Sequence, residues 1–399
     1  MPGNHSLLHN SRYMIYNAEH AFSSFGYSLY TITIPAFSYV FSGSIVFTGL
    51  ALFVEYGIYA LTFLTGPIVD RVVDKRRVLV TSEAAIAALA LALGVLINSG
   101  GATDLSFLAF VAAIAVAWDF AWTADWTVLP LIVSEEELPS ARGYASAVSS
   151  SHTVAGLSVG GLLFAFLGAY SSVILYSACM LVAALLLFFL PAAVPREGRK
   201  HSEGLLAGWR YVFGMKSLLL LSLAVGVFAF FAELPTLGIT NIFAQSSALW
   251  YSVMFTLFGV GSTISGGLIG RFYPKRRLGL TMMLTFALSG MLLVPSVVEA
   301  GIPAFDAALW FGLGALESAW ITLYSVYLQA TTAKEMLGRT ASNLYTFRGI
   351  TSAVGTISLP FLIQSSGIVT TAILSGAFLV LMAFVFYARF PSIREMRLK

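Results

Sequence analysis

Charge is what this chain lacks. Asp, Glu, Lys and Arg make up 10% of its 399 residues, against about 25% in a soluble globular domain. So few charges cannot cover a water-facing surface, and a 58% hydrophobic share needs lipid around it. Cysteine is nearly absent as well: Cys179 stands alone in an apolar run, which excludes an intrachain disulfide. No Gly-x-x-x-x-Gly-Lys-Ser/Thr loop occurs, so ATP is not expected to act directly. No Cys/His cluster has metal-ligand spacing, and neither Gly-x-Ser-x-Gly nor His-Glu-x-x-His is found, so no metal, cofactor or enzymatic activity is expected. No basic tract with interleaved aromatics suggests nucleic acid. The basic-then-apolar pattern of a removable signal peptide is missing from the N-terminus, and none is expected.

What remains is long and apolar. Twelve segments approach the length a bilayer requires: 13–40, 45–68, 78–98, 106–133, 141–168, 171–191, 217–243, 248–272, 278–298, 304–330, 341–364 and 367–389. We number them spans 1 to 12. They are rich in Leu, Ala, Phe and Gly and show no ten-residue alternation, which predicts helices and not a barrel. With this count, all 22 Lys and Arg residues fall on one side, while the opposite loops carry Asp104, Glu299 and Asp306. That asymmetry predicts cytoplasmic termini in the plasma membrane of a prokaryote.

The chain also repeats itself. Gly66, Arg71, Lys75, Arg76 and Arg77 recur 200 positions on as Gly266, Arg271, Lys275, Arg276 and Arg277. Gly26 and Pro35 recur as Gly226 and Pro235. Asp119, Trp122 and Glu137 recur at an offset of 198 as Glu317, Trp320 and Glu335. The expected architecture is therefore an all-α membrane protein of twelve transmembrane helices in two pseudo-symmetric six-helix bundles, 1–190 and 217–399. Between them, 191–216 reads as a cytosolic linker with an amphipathic helix around Trp209, Arg210 and Tyr211. A duplicated half in so apolar a chain suggests a transporter that moves one half against the other.

The loop after span 2 carries Gly66, Asp70, Arg71, Arg76 and Arg77, and this resembles the signature loop of the major facilitator superfamily. Val73 stands where that pattern has a second Gly, and Gly270 replaces the Asp in the second copy. The resemblance implies a cytosolic gate in which Asp70 and its bases latch spans 2 and 11, with Arg348 as a further member beside Arg271, Arg276 and Arg277. Gly156, Gly160 and Gly161 in span 5 resemble a drug:proton antiporter pattern, with Leu157 in place of its Pro. Close helix packing through small residues explains the same glycines. The stretch 203–231 resembles the macrolide and siderophore exporters of the superfamily.

Seven acids fall inside predicted spans: Glu19, Glu55, Glu83, Asp119, Asp125, Glu233 and Glu317. Each is costly there and so is a candidate functional group. On a helical wheel, Trp118, Asp119, Trp122, Asp125 and Trp126 share one arc of span 4, and Glu317, Trp320, Tyr324 and Tyr327 share one arc of span 10. The resemblance implies that spans 1, 4, 7 and 10 line a central cavity. The candidate proton-coupling or cavity residues are thus Asp119, Glu317, Glu233, Glu19, His20 and Asp125, with Trp118, Trp122, Trp320, Tyr324 and Tyr30 as cavity aromatics. Glu55, Glu83 and His152 lie on spans outside that lining set. No Lys or Arg is expected deep in the bilayer to pair an anionic cargo. Acids beside aromatic faces suit an amphiphilic or cationic organic molecule.

The expected function is proton-coupled export of a small organic or amphiphilic compound by alternating access. The expected partners are the bilayer, a small-molecule substrate and protons, with no nucleic acid and a monomeric chain. One rival is a facilitator or importer, for example of sugars or cations. Sugar sites use many amides, and here the main candidates are Asn17, Asn241 and Gln329. Another is a non-transporting receptor on the same scaffold.

Overall fold

A computed structural model of the chain describes residues 7, 9–134, 137–192, 207–243, 247–272, 277–298, 303–332 and 334–397. The described elements are all helices. Local chemistry sets their ends. Span 3, Lys75–Asn98, starts at Asp74, whose side chain accepts from the Arg76 amide. Span 4, Asp104–Ile132, starts on a capping box between Thr103 and Ser106. Span 1, Ser11–Ser42, ends at Gly43, which has a positive φ of 66°.

Spans 2 and 7 are broken. Span 2 divides into Ile45–Tyr59 and Thr62–Arg71, bent by 42°. Span 7 divides into Lys216–Phe231 and Leu234–Phe243, with Glu233 at the break. The cause is Pro235, which has no amide hydrogen to donate and disfavours helical backbone just before it.

Spans 5 and 6 run as Leu138–Phe188 through a reversal at Gly168, where φ is 77°. Span 11, Lys334–Ser366, meets span 12, Ile368–Arg389, at Gly367, where φ is 83°. The two glycines are 199 positions apart, so the backbone repeats the duplication seen in the residues. Between them lie Ala248–Phe272, Leu278–Ser296 and Pro303–Thr331, spans 8 to 10.

Among the described residues, eight helices are long and apolar enough to cross a membrane, or nine if the bent span 2 counts as one. The continuous spans 5 and 6 account for part of the difference from twelve. Ser11–Ser42 and Pro303–Thr331 fall outside that group. They are the helices that carry the Ser, Tyr, Trp and acid positions of spans 1 and 10.

The chain packs as two compact units, one of Met1–Ile34 and Leu61–Ser202, the other of Pro35–Ala60 and Glu203–Lys399. The first has its core around Tyr13, Val69, Leu79, Ala124, Val128 and Leu187. In it, Gly156 of span 5 lies against span 1 so closely that a methyl group would stand 2.5 Å from the Phe25 carbonyl oxygen. At Gly160 a methyl group would stand 2.9 Å from the Ile32 side chain and 3.1 Å from the Leu29 Cα. The small residues of span 5 are therefore used for helix packing.

The second unit has its core around Leu221, Met282, Phe286, Trp320 and Leu359. Gly261 is pressed on the Phe311 carbonyl and Gly314 on the Phe258 carbonyl, which closes span 8 onto span 10. This unit also takes in 35–60, a stretch that a division at the linker assigns to the first half. Contact is direct: Gly49 meets Pro360 and Thr356, and Gly349 meets Ala60, with no room for a side chain at either glycine. Of the linker, helix Ala207–Gly214 is described, with Val212 buried in the second core and Arg210 exposed, an amphipathic arrangement. Residues 193–206 lie outside the described residues.

Candidate functional site

In the first unit, Asp119 is 2% exposed. Its Oδ1 accepts a hydrogen bond of 2.5 Å from the Thr62 hydroxyl, and its Oδ2 has no donor among the described residues. Thr62 opens the second half of span 2, so the break in that span is what brings a hydroxyl to the acid. Thr65, one turn on, contacts Thr123 at 3.2 Å. Asp119 thus sits in a threonine-lined niche between spans 2 and 4.

The rest of the span 4 arc fans out. The Trp118 indole donates to the Tyr176 hydroxyl at 2.7 Å and packs edge-on against Tyr27, with ring centres 4.6 Å apart. Tyr30 is buried against Tyr176 at 5.2 Å, which completes an aromatic knot. Trp122 and Trp126 remain exposed and meet edge-on at 5.9 Å. The Arg142 guanidinium lies 4.5 Å above Trp126, a cation–π contact. Asp125 turns to span 1, where it accepts from the Tyr16 hydroxyl at 2.7 Å and lies 3.9 Å from His20 Nδ1.

The second unit holds the other acids. Glu233, at the break in span 7, accepts from the Tyr56 hydroxyl at 2.5 Å. Glu317 lies on the middle of span 10 and is half-buried. Arg348 is the electrostatic neighbour of both acids and of Tyr56, Tyr324 and Tyr345. No ion pair closes it onto either acid; the ion pairs among the described residues are His20–Asp125 and Asp74 with Arg76 and Arg77. The Tyr324 hydroxyl has no hydrogen-bond partner among the described residues. One unit therefore brings two carboxyls, one guanidinium and a phenol without a hydrogen-bond partner among the described residues into one electrostatic neighbourhood.

Two expectations change here. Arg348, assigned from sequence to the cytosolic gate, stands with Glu233 and Glu317, so a span-borne cation is present after all. The reason is length: its helix begins at Lys334, and Arg348 lies inside the apolar stretch Asn343–Ser366 and not at its mouth. Trp320, expected to line a cavity, is 1% exposed and enclosed by Phe286 and Phe228 at 5.3 and 6.1 Å. It is core, because the arc it shares with Glu317 is wide enough for its far edge to face span 9.

Asp74, Lys75, Arg76 and Arg77 of the loop after span 2 bond within their own unit. Asp74 pairs with Arg76 at 3.5 Å and Arg77 at 3.4 Å. Arg76 donates to the Leu190 carbonyl at 2.5 Å, and buried Lys75 donates to the Val69 carbonyl at 2.7 Å. These bases cap the ends of spans 2 and 6. Gly66 has open space around it, Arg71 is exposed, and the Asp70 side chain lies outside the described residues. In the second copy, Arg271 and Arg277 are exposed, and Arg276 lies outside the described residues.

Sequence reasoning missed Tyr16, Tyr56, Thr62 and Tyr176, the partners of the acids and of Trp118. Their only signal was a polar residue in an apolar helix. It also expected no metal-ligand set, because it looked for spacing along one stretch. The fold brings Glu19 and His20 to Asp125, with ligand atoms within 4.8 Å of one another.

The family described as Major Facilitator Superfamily matches residues 20–301. An uncharacterized MFS-type transporter of Bacillus subtilis (strain 168), YfmI, is 22% identical over 62% of this chain. The chain spans 64% of the length of that curated relative. Among solved structures, the nucleoside transporter NupG superposes with a TM-score of 0.76 at 14% identity, covering 95% of this chain and 99% of its own. A bacterial homologue of the human lysosomal transporter Spinster, inward-facing and unoccupied, gives 0.71 at 12% identity over 98% of each chain. A D-xylose-proton symporter gives 0.73 at 10%, covering 98% of this chain and 100% of its own. At these identities the structural likenesses establish the fold.

Proposed function

Because this chain belongs to the major facilitator superfamily and is a multi-pass membrane protein, we propose that it is a proton-coupled exporter of a small organic compound, working by alternating access in the plasma membrane with both termini in the cytoplasm. The observation that carries this reading is the group of Glu233, Glu317 and Arg348 in membrane-embedded helices, with Tyr56 and Tyr324 around it. Acids held near a guanidinium but not bonded to it can exchange partners. A charged acid can hold the cationic part of the cargo; a proton that neutralises that acid displaces the cargo, so the two occupy the site in turn and travel in opposite directions. Asp119 supplies a second protonatable carboxyl in the other unit, with one oxygen fixed by Thr62 and one open.

Arg348 also widens the cargo class. Acids and aromatics alone suit an organic cation; with a guanidinium beside them, a zwitterionic or partly anionic organic molecule fits too. The proposed moving bodies are the repeat halves 1–190 and 217–399, with 191–216 as the bridge, and the proposed partners are lipid, cargo and protons for a single chain. A sugar importer has less support, because two of the three candidate amides are already used: Asn17 donates to the Tyr13 carbonyl, and Asn241 accepts from Tyr39. The test is a thermal-shift screen of the purified protein against zwitterionic, cationic and neutral organics, followed by flux of the hits in proteoliposomes with and without a pH gradient. Cargo that moves only downhill and ignores the gradient would reject proton coupling.

A further inference from the structure

Four ionisable side chains of the first unit converge without a role in the reading above. Glu19 and His20 lie on span 1, Glu83 on span 3 and Asp125 on span 4. Their depths agree. Glu19 is eight residues into Ser11–Ser42, Glu83 eight residues into Lys75–Asn98, and Asp125 seven residues before the end of Asp104–Ile132. At about 1.5 Å per residue, they sit about 10–12 Å in from the Ser11, Lys75 and Ile132 ends of their helices.

Glu83 is 1% exposed, and neither of its carboxyl oxygens has a donor among the described residues. Glu19 is 2% exposed, with its Oε2 likewise unserved. The two carboxyls face each other within hydrogen-bonding range. Two such carboxyls stay in contact only with a proton or a cation between or beside them. Leaving a buried charged acceptor without a partner is costly.

The remaining groups supply the other side of such a site. Single ligand atoms from Glu19, His20 and Asp125 lie within 4.8 Å of one another. His20 Nδ1 and Asp125 Oδ1 are 3.9 Å apart. That is too long for a hydrogen bond, yet shorter than two metal–ligand bonds of about 2.1 Å end to end. Tyr16 stacks on His20 at 5.7 Å and donates to Asp125 at 2.7 Å, so both groups are held in orientation by one phenol. His20 and Asp125 are 22% and 18% exposed, which gives the site a mouth above its buried glutamates. The charged neighbour on span 5 is Arg142, engaged with Trp126 and near Tyr16. Three carboxylates against one guanidinium leave room for a divalent charge.

We infer that Glu19, His20 and Asp125 form a divalent-cation site within the first unit, with Glu83 supporting Glu19 from beneath, taking an ion of the Mn2+ or Zn2+ class. One imidazole with two carboxylates selects such ions over Mg2+ and Ca2+, which prefer oxygen-only sets. The site is confined to one unit and stands whether or not transport is proton-coupled.

The test uses the purified full-length protein, stripped with a chelator and titrated with Mn2+. Free Mn2+ is followed by its electron paramagnetic resonance signal and the protein by its thermal unfolding. The expected result is one saturable Mn2+ per chain and a raised Tm, with Mg2+ and Ca2+ weaker. Glu83→Gln and Asp125→Asn should each weaken binding by roughly tenfold or more. Asp104→Asn, at the far end of span 4, should bind as the parent does. If Glu83→Gln fails to fold, Glu19→Gln carries the same prediction. A parent protein that takes up no Mn2+ overturns the site and leaves the glutamates sharing a proton. So does Mn2+ binding that survives both substitutions unchanged.

Discussion

The Tyr56 hydroxyl donates a 2.5 Å hydrogen bond to Glu233, joining the first segment of span 2 to the break in span 7. It is the most direct tie between the stretch 35–60 and the acids of the second repeat. A buried acid that loses a donor bears more of its desolvation, even with Arg348 and Thr236 beside it. Tyr56→Phe should therefore destabilise the protein by about 1–3 kcal/mol. In a cycle with Glu233→Gln, the two changes should be less than additive, with coupling of about 0.5–3 kcal/mol. Thermal unfolding in detergent measures all four corners of the cycle. Strict additivity would show that the bond contributes nothing.

Helix packing in the first unit gives a pair of opposite signs. Gly156→Ala places a methyl group on the Phe25 carbonyl and should cost about 1–3 kcal/mol. Gly143→Ala, on the same helix with nothing within 4 Å, should be neutral or stabilise by up to about 1 kcal/mol. Melting curves of the two variants check the sign of each.

Arg348 should decide which cargo binds. Arg348→Gln removes the cation beside Glu233 and Glu317. It should weaken binding of cargo that carries an anionic group far more than binding of a matched analogue without one. Thermal shifts with such a matched pair of compounds report the difference. Equal losses for both would assign Arg348 a structural part only.

Membrane orientation is open to labelling, because native Cys179 is buried. A single cysteine at Arg77, whose side chain is 76% exposed, or at exposed Arg277 should react with a membrane-impermeant thiol reagent only from the cytoplasmic face. Reaction in intact cells would reverse the assigned topology.

Much of the fold was legible in the residues. Apolar length and basic asymmetry placed the helices, and the recurrence of Gly66 and Arg71 as Gly266 and Arg271 exposed the repeat that Gly168 and Gly367 display in the backbone. Pro235 announced the break in span 7. The site was legible only as a set of costly residues, since a buried acid identifies itself in an apolar run but not its partner. A helical wheel gives a direction from one axis; it cannot say that Asp119 meets Thr62 or that Trp320 meets Phe286. Glu83 was set aside because its span was expected to line nothing, yet helix crossing brings it to Glu19. Arg348 was given to the gate by resemblance although it already lay inside span 341–364; its nearness to Glu233 and Glu317 depends on helix crossing, which position along the chain does not show.

Proton coupling through these carboxyls is tested most directly by pH-gradient-driven flux in proteoliposomes, comparing the parent with Asp119→Asn, Glu317→Gln and Glu233→Gln. The parent should accumulate cargo against its gradient while protons run the other way. Glu317→Gln and Glu233→Gln should keep downhill exchange of cargo but lose accumulation, and Asp119→Asn should lose at least part of it. Full gradient-driven accumulation in all three variants would contradict the assignment.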